Sequence, residues 1–427
     1  MAFSKINVLV FPCGAENGCE IFQSLRYSLH VKLFGATSIE DHGRFAFDNY
    51  IGGLPSIHEP GFDEAFVELV RSHDVQLVFP THDTVAEYLA PRASGFGIQL
   101  VNGDPITSST ARRKSATYHL FSDCPWTPDV FSDLDDTPPS FPIVVKPDRG
   151  QGGQGVTLVH NRQEAFAAAQ SIVDPLFVEY LPGKELTVDC FTDRFRRLVW
   201  IGPRTRERVR AGISMRSARV EVDDRLRDMA QTINTRLTLR GPWFFQVKQD
   251  AKGQWKLLEV ACRVAGSMVF QRARGINLPL MAVHDFMERD LLPLANPFIN
   301  LIERNIATRA QLDYSFDHVF VDLDDTLIME GKALPKILAF LHQCANEGKS
   351  IHLITRHPQN PAETLQQSKI AHNLFDSIIH LTNGQPKSDF VYGKAIFIDN
   401  HFPERLEVAQ SKMIPVFDTD AVELFLK

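Results

Sequence analysis

Near each end, the chain passes from a short apolar run through a polar loop into residues with helical spacing. The first apolar run is 6–11, and a turn over 14–18 follows it. The apolar residues that then recur at helical spacing are Ile21, Leu25 and Leu29. The second apolar run is 318–321. Because strand, loop and helix in this order build parallel sheets, the sequence predicts an α/β protein.

The length indicates several domains. A chain of 427 residues corresponds to roughly two to four domains. A further buried strand is predicted over 74–80, and it ends at Thr81, His82 and Asp83, where α/β sheets place ligands. The segment 292–317 is predicted to be a linker. The predicted domains are an α/β domain over 1–107, an α+β domain over 108–305 and a Rossmann-like α/β domain over 313–427.

Composition excludes several classes of partner. The net charge of -7 argues against nucleic acid, because nucleic-acid binders usually carry a basic face. No apolar run reaches the roughly 18 residues that would span a membrane. The six cysteines form no CxxC pair and are typical of reduced thiols in the cytosol. We therefore predict a cytoplasmic protein without nucleic-acid or membrane partners.

A glycine-rich loop follows a strand that carries a lysine. The strand is predicted over 143–146 and ends at Lys146. The glycines of the loop are Gly150, Gly152, Gly153 and Gly155. Glycines let backbone N–H groups lie against phosphates, and a lysine adds a positive charge for the same phosphates. The pattern predicts a phosphate-binding loop.

The segment 177–181 has the character of a nucleotide-base site. A base needs an apolar slot with backbone hydrogen bonds along one edge, which Glu179, Tyr180 and Leu181 are placed to provide. Glu185 follows, and its carboxylate can accept hydrogen bonds from ribose hydroxyls. We predict that this segment binds a nucleotide base and its ribose.

Two oxygen-bearing side chains on neighbouring predicted strands suit a magnesium ion. Gln246 and Glu259 lie on strands predicted over 244–249 and 255–260. Arg263 comes soon after Glu259 and can neutralise charge on a phosphoryl group in transfer. We predict metal binding for the first two side chains and a catalytic role for the arginine.

Four arginines alternate along 204–210. On one strand, alternation puts side chains on one face, so the segment is either a solvated edge strand or a patch that receives the γ-phosphate or an anionic substrate. We favour the patch and predict that Arg208 binds the nucleotide and that Arg210 acts in catalysis.

This series resembles the ATP-grasp superfamily over roughly 5–305; carbamoyl phosphate synthetase, biotin carboxylase and D-alanine–D-alanine ligase are members. The resemblance makes 1–107 the α/β domain that precedes the ATP-grasp domain, and it implies that Lys114 and Lys146 contact phosphates. It also implies ATP and Mg²⁺ (with Mn²⁺ possible), small carboxylate and amine substrates, an acyl phosphate intermediate and, by analogy, a homodimer. One departure is Ala261, which stands where the family has a metal-binding asparagine.

The C-terminal segment places acidic and basic residues at predicted strand ends. Asp322 and Asp324 follow the apolar run 318–321, so one carboxylate can attack a phosphorus atom while the other moves a proton. Mg²⁺ would suppress the repulsion between the nucleophile and the phosphate. The later residues of the pattern are Thr355, Lys387 and Asp399, with Glu404 close behind the last.

The segment 315–427 resembles the haloacid-dehalogenase superfamily. The resemblance implies that Asp322 is the nucleophile and Asp324 the acid/base, that Thr355 and Lys387 hold phosphate, and that Mg²⁺ binds Asp322, Asp324 and Asp399. Glu404 is a supporting candidate for the metal, and Lys394 is the rival for the role of Lys387. The gaps from 326 to 355 and from 355 to 387 are too short for a folded cap, which predicts an open site for a phosphorylated substrate.

The sequence thus predicts an ATP-dependent carboxylate–amine ligase fused to a Mg²⁺-dependent phosphatase. Two alternatives stay open: an ATP-grasp kinase with an editing phosphatase, and a nucleotide-sensing protein whose ATP-grasp site is weakened at Ala261.

Overall fold

A computed structural model describes residues 5–131, 140–150, 152–305 and 307–426. The chain divides into two compact units, Met1–Asn305 and Ile306–Lys427. The further division of the first unit between 107 and 108 stays a prediction. Gln151 of the predicted glycine loop lies outside the described residues. No helix among the described residues is long and apolar enough to cross a membrane.

The first unit begins with a five-stranded parallel sheet. Across the sheet the strands are Asn49–Ile51, Val31–Ala36, Ile6–Phe11, Leu77–Pro80 and Gln99–Leu100. The helices between these strands in the chain are Glu16–Leu25, Phe62–Ser72, Asp83–Leu89 and Ala93–Phe96. The predicted first strand is confirmed, but the predicted turn is shorter, because the helix already begins at Glu16. Leu29 lies beyond the helix and is exposed, so the prediction that extended the helix to it was wrong.

Two four-stranded antiparallel sheets follow in the same unit. The strands of one, in order, are Leu198–Thr205, Glu185–Thr192, Gly241–Gln249 and Trp255–Ala261. The strands of the other are Val130–Phe131, Pro175–Glu179, Ile143–Pro147 and Thr157–Val159. A three-stranded sheet is made of Glu207–Arg210, Ile213–Ala218 and Leu301–Glu303. The other helices are Pro105–Arg112, Lys114–Leu120, Arg162–Ala169, Asp224–Arg236, Val269–Ala273 and Leu278–Phe286.

Helix Asp224–Arg236 shows how the core holds the first of these antiparallel sheets in place. The Asp223 side chain caps it by accepting from the backbone N–H of Leu226. Its buried residues recur at helical spacing and pack in one apolar cluster with residues of the sheet; they are Leu226, Met229, Ala230 and Ile233. One face of the sheet therefore packs against the core. Polar side chains of the sheet such as Gln246 and Glu259 line a cavity.

The second unit is built on another five-stranded parallel sheet. In order, its strands are Ser377–His380, Ser350–Thr355, His318–Val321, Ala395–Ile398 and Val416–Phe417. The helices are Pro335–Asn346, Pro361–Gln367 and Phe402–Lys412. Between 326 and 355 there is one helix and a small hairpin of Ile328–Met329 and Lys332–Ala333. The strands predicted to carry Asp322, Thr355 and Asp399 at their ends are present.

Candidate functional sites

The first unit contains a cavity of about 470 Å³ that both four-stranded sheets line. The predicted nucleotide-binding residues that line it are Lys114, Lys146, Gly153, Glu179, Tyr180, Leu181 and Glu185. Apolar contacts come from Val144, Leu158, Val178 and Leu258. An apolar slot with a charged end is the kind of site that takes a base at one end and phosphates at the other.

Lys146 is a buried lysine on the wall of this cavity. Its side chain is 6% exposed, and its Nζ donates to the Tyr118 hydroxyl at 2.7 Å. Among the residues that the structure describes, no carboxylate forms an ion pair with it. Burial lowers the pKa of Lys146 to about 7, and the neighbouring Lys114 ammonium acts in the same direction. The carboxylate of Glu259 acts in the opposite direction but is outweighed. A phosphate bound in the cavity would give this lysine an anionic partner.

Lys114 stands at the start of helix Lys114–Leu120 and lies against the glycine loop. Its Nζ is 3.5 Å from the carbonyl oxygen of Asp148 and 3.4 Å from that of Gly150. Burial lowers the pKa of this lysine as well. The glycines with positive φ are Gly152, Gly153 and Gly155, a conformation that other residues adopt only with strain. The predicted loop thus has the backbone form that its glycines allow.

The segment predicted to hold a nucleotide base and its ribose contributes both backbone and side chains to the cavity. Glu179 ends a strand, and its Oε1 accepts from the backbone N–H of Asp129 at 3.1 Å. Leu181 is buried and Tyr180 is partly exposed. Glu185 does not lie free, because its Oε1 is 2.6 Å from Nε of Arg206. A ribose hydroxyl would therefore meet an ion pair here.

Gln246 and Glu259 face each other across neighbouring antiparallel strands. Both line the first cavity and also a second one of about 340 Å³. Two oxygen ligands fit Mg²⁺, which commonly takes one or two protein oxygens together with phosphate and water. Ala261 lines neither cavity and packs in an apolar cluster with Phe244 and Met268. The position expected to carry a third ligand is therefore apolar.

The second cavity is polar and adjoins the first. Besides Gln246 and Glu259, the residues that line both cavities are Gly153, Gln154 and Arg206. Arg263 lines the second cavity and is held by Asp83, with its Nε and Nη2 at 2.9 and 2.8 Å from the two carboxylate oxygens. Burial raises the pKa of Asp83, but Arg263 outweighs it and the net pKa is lowered. The arginine is thus fixed in its charged form on the wall of the second cavity.

The four alternating arginines do not share one face. The first strand ends at Thr205 and a new one begins at Glu207, so the alternation is broken. Arg208 and Arg210 are exposed and line neither cavity, and Arg208 pairs with Glu303 at 2.8 Å. The cavity-lining members are Arg204 and Arg206. The structure therefore does not bring together the pair that the sequence favoured, because alternation predicts a shared face only within an unbroken strand.

In the second unit, Lys387 bridges two carboxylates at the ends of neighbouring strands. Its Nζ is 2.7 Å from Oδ1 of Asp322 and 2.6 Å from Oδ2 of Asp399. Burial lowers the pKa of Lys387, but the two carboxylates outweigh it and the net pKa is raised. Burial raises the pKa of Asp322 to about 6, against the lowering effect of Lys387. These three predicted residues do come together.

The other predicted residues of the second unit have partners of their own. Thr355 is buried, and its Oγ1 accepts from the backbone N–H of His357. Asp324 faces His357, whose Nδ1 is 2.9 Å from its Oδ1. Glu404 pairs with Arg356 at 2.7 Å. The rival lysine, Lys394, is exposed, whereas Lys387 is buried.

The described residues contain no group of three or more His, Cys, Asp or Glu side chains arranged to hold a metal ion by themselves. Asp322 and Asp399 still offer two hard oxygen donors on neighbouring strands, a set that fits Mg²⁺ when phosphate and water complete the coordination. Asp324 is turned toward His357, so its carboxylate does not join the pair in this structure.

Sequence reasoning missed several residues that shape these sites. Tyr118 holds Lys146, Asp83 holds Arg263, and His357 contacts Asp324. Asp83 had been noted only as one of the residues at a strand end. Each partner is distant in sequence or of a common residue type, so spacing alone carries no signal for it.

Comparison with known proteins supports the fold of the first unit. Residues 171–301 match a family described as ATP-grasp in the biosynthetic pathway with Ter operon. One similar solved structure is the biotin carboxylase domain of Hydrogenobacter thermophilus 2-oxoglutarate carboxylase in complex with MgADP, ADP and bicarbonate. The two chains are 14% identical with a TM-score of 0.56, and the match covers 69% of this chain and 72% of that one. No curated protein matched the chain.

Two further solved structures are similar over comparable lengths. Staphylococcus aureus N5-carboxyaminoimidazole synthetase, complexed with ADP, is 16% identical with a TM-score of 0.56, covering 68% of this chain and 79% of that one. Bacillus licheniformis L-amino acid ligase is 18% identical with a TM-score of 0.53, covering 67% of this chain and 75% of that one. At such identities the likeness is one of fold. The chain has an ATP-grasp-like fold, as the sequence predicted, and the resemblance of 315–427 to haloacid dehalogenases stays a prediction.

Proposed function

We propose that the first unit is an ATP-dependent ligase that joins a small carboxylic acid to an amine. The observation that carries the proposal is that two cavities meet at Gln246 and Glu259. One cavity has an apolar slot, the buried Lys146 and the half-buried Lys114, as a nucleotide requires, and the other is polar and contains Arg263. This arrangement suits transfer of a phosphoryl group across the shared boundary.

The proposed reaction has two steps. An oxygen of the acid attacks the γ-phosphorus of ATP and ADP leaves, which gives an acyl phosphate. The amine then attacks the carbonyl carbon, the C–N bond forms, and inorganic phosphate leaves as the nitrogen loses its proton. Lys114 and Lys146 would hold the phosphates, and Arg263, fixed by Asp83, would neutralise charge that develops in transfer. Gln246 and Glu259 would hold Mg²⁺, which would neutralise negative charge on the nucleotide phosphates.

For the second unit we propose hydrolysis of a phosphate monoester. Asp322 would attack the phosphorus, and Asp324 would protonate the leaving alcohol oxygen and then take a proton from the water that releases phosphate. Lys387, which already contacts Asp322, would hold the phosphate oxygens, and Thr355 would assist. When bound at Asp322 and Asp399, Mg²⁺ would reduce the repulsion between the carboxylate and the phosphate.

Turnover with substrate pools tests the ligase and separates it from the alternatives. The Asp322→Asn protein, in which the proposed phosphatase is silenced, is incubated with ATP, Mg²⁺ and pools of carboxylic acids, with and without amines. A ligase gives ADP and inorganic phosphate in equal amounts only when acid and amine are both present. ADP without free phosphate would instead indicate a kinase.

One observation favours a second candidate, the nucleotide sensor. Ala261 puts a methyl group, in an apolar cluster, where the family places a metal-binding amide. A sensor would bind ATP with Mg²⁺ but would show no acid-dependent turnover with any pool. Equilibrium binding of ATP, measured on the same Asp322→Asn protein, separates a sensor from a protein that does not bind nucleotide.

A further inference from the structure

Arg204 is a fully buried arginine on the wall of the second cavity. Its Nε donates to Oδ2 of Asp189 at 2.7 Å, and its Nη2 donates to Oδ1 at 3.2 Å. Both side chains are 0% exposed. One edge of the guanidinium is therefore occupied by the carboxylate, as in two-point arginine–carboxylate pairs generally.

Gln271 fixes the carboxylate from another side. Its Nε2 donates to Oδ2 of Asp189 at 3.0 Å and to the carbonyl oxygen of Gly202 at 2.8 Å. Asp189 thus accepts three hydrogen bonds and cannot easily turn. Because Asp189 takes only Nε and Nη2, the guanidinium keeps a fixed orientation with Nη1 directed elsewhere.

Nη1 of Arg204 has no hydrogen-bond partner among the residues that the structure describes. A buried nitrogen that carries two N–H groups and part of a positive charge is costly to leave unpaired. Since Arg204 lines the second cavity, a ligand in that cavity can supply the missing acceptor. The geometry and the charge favour an anionic oxygen.

The position of Arg204 indicates which ligand supplies the missing acceptor. Arg206, Gln246 and Glu259 line both cavities, whereas Arg204 lines only the second. The reacting carboxylate must lie at the shared boundary to meet the nucleotide. A group at Arg204 is therefore a different group of the acid, on the side away from the nucleotide cavity.

We propose that Arg204 binds a second anionic group of the acid, so that the substrate is a dicarboxylic acid or a phosphorylated acid rather than a simple monocarboxylic acid. This inference rests on the proposed ligase function. It assigns Arg204 as a specificity-determining residue, with Asp189 and Gln271 as the residues that position it.

Equilibrium binding tests the proposal without requiring turnover. Titration calorimetry compares matched probes, butyrate against succinate and glycolate against phosphoglycolate, on wild-type protein with ADP and Mg²⁺. The wild type is expected to bind at least one doubly anionic probe about 10- to 100-fold more tightly than its partner, the range for a hydrogen bond to a charged group. Equal affinity within both pairs would overturn the proposal.

Two variants locate the effect. Arg204→Lys keeps the positive charge beside Asp189, but a lysine cannot make the two-point contact and also present a nitrogen to the cavity. The ratio of the affinities for the two probes of a pair should therefore fall to near one. Arg197→Gln removes an exposed arginine that lines neither cavity and should leave the preference unchanged. A preference that survives in Arg204→Lys, with thermal unfolding like that of the wild type, would contradict the assignment. If Arg204→Lys does not fold, the wild-type comparison decides alone.

The transferred phosphoryl group is the other source of an anionic oxygen, and nucleotide affinity distinguishes it. If Arg204→Lys weakens the binding of ATP more than that of ADP and leaves the preference for doubly anionic probes intact, Arg204 contacts the γ-phosphate. The proposal would then be wrong. Arg204-dependent binding of a doubly anionic probe without acid-dependent turnover would retain the subsite and remove the ligase. Acid-dependent turnover that is as efficient with monocarboxylic acids as with their doubly anionic partners would retain the ligase and remove the subsite.

Discussion

The buried lysines of the two units have opposite electrostatic surroundings. In the second unit, Lys387 lies between the carboxylates of Asp322 and Asp399, so its charge is balanced within the protein. In the first unit, Lys146 donates to the neutral hydroxyl of Tyr118 and forms no ion pair with any residue that the structure describes, and burial lowers its pKa to about 7. Removing a balanced lysine leaves its carboxylates buried without a partner, whereas an unbalanced lysine itself lowers stability until an anion binds.

The largest effect should come from the proposed nucleophile. Replacing Asp322 with Asn removes the attacking oxygen while keeping the shape of the side chain, so hydrolysis of p-nitrophenyl phosphate with Mg²⁺ should fall by at least about 1,000-fold. ATP binding by the first unit should not change, and calorimetry checks it. Residual phosphatase activity within ten-fold of the wild type would show that Asp322 is not the nucleophile.

Removing Lys387 should destabilise the second unit. Lys387→Met leaves Asp322 and Asp399 buried beside each other without a cation, which should lower the free energy of unfolding by about 3–5 kcal/mol. Urea unfolding, followed by a probe in the second unit, measures the change. As a control, Lys394→Met alters an exposed lysine and should change stability by less than about 0.5 kcal/mol.

The same substitution at Lys146 should have the opposite effect on the ligand-free protein. Lys146→Met removes an unpaired buried ammonium, so the free energy of unfolding should rise by about 1–3 kcal/mol at pH 7. The affinity for ATP should fall about 100-fold, because the phosphates lose a direct cationic partner. Destabilisation of the ligand-free variant to the extent seen for Lys387→Met would remove the contrast between the two lysines.

The lowered pKa of Lys146 also predicts a pH dependence of stability. The folded-state pKa of about 7 lies below the ordinary lysine pKa of 10.5, so the unfolded state binds more protons between these values. The free energy of unfolding of the ligand-free protein should therefore fall as the pH is lowered from about 10.5 to 7, with no further change from this group below 7. The difference between wild type and Lys146→Met, followed by urea unfolding from pH 7 to 10, isolates the contribution.

Bound ATP should raise the pKa of Lys146, because the phosphates stabilise its ammonium form. At pH 8 the binding of ATP should then take up a fraction of a proton at Lys146, which calorimetry in buffers of different ionisation enthalpy detects. Lys146→Met should lose that uptake. Proton uptake of the same size in both proteins would place its source elsewhere.

The smallest effect should come from Tyr118. Its hydroxyl accepts from Lys146 and donates to the carbonyl oxygen of Leu258 at 2.7 Å, so Tyr118→Phe removes both contacts. We expect ATP affinity to fall about five-fold, in line with one neutral hydrogen bond. A loss as large as that of Lys146→Met would mean that Tyr118 contacts the nucleotide itself.

The sequence was informative wherever a site is formed by the end of one strand. Lys146, Glu259 and Asp322 each follow an apolar run, and the structure has the strands that were predicted there. Gln246 and Glu259 were placed on neighbouring strands, and the observed register sets them opposite each other. Such features depend on local periodicity, which the sequence contains.

Features that depend on distant contacts were not predictable in this way. Alternation suggested Arg208 and Arg210, but a strand break shifts the cavity-facing role to Arg204 and Arg206. The contact between Arg263 and Asp83 joins residues far apart in the chain, and neither has a motif that names the other. Periodicity gives the direction of a side chain within one element, not the partner that it meets.

Transfer of oxygen from the acid to phosphate tests the proposed acyl phosphate chemistry. The acid identified with the Asp322→Asn protein is labelled with ¹⁸O in its carboxylate and incubated with ATP, Mg²⁺ and the amine. Attack of that carboxylate on the γ-phosphorus predicts one ¹⁸O atom in each released phosphate, measured by mass spectrometry. Phosphate that is free of ¹⁸O would contradict the ligase mechanism, because water, and not the acid, would then have cleaved ATP.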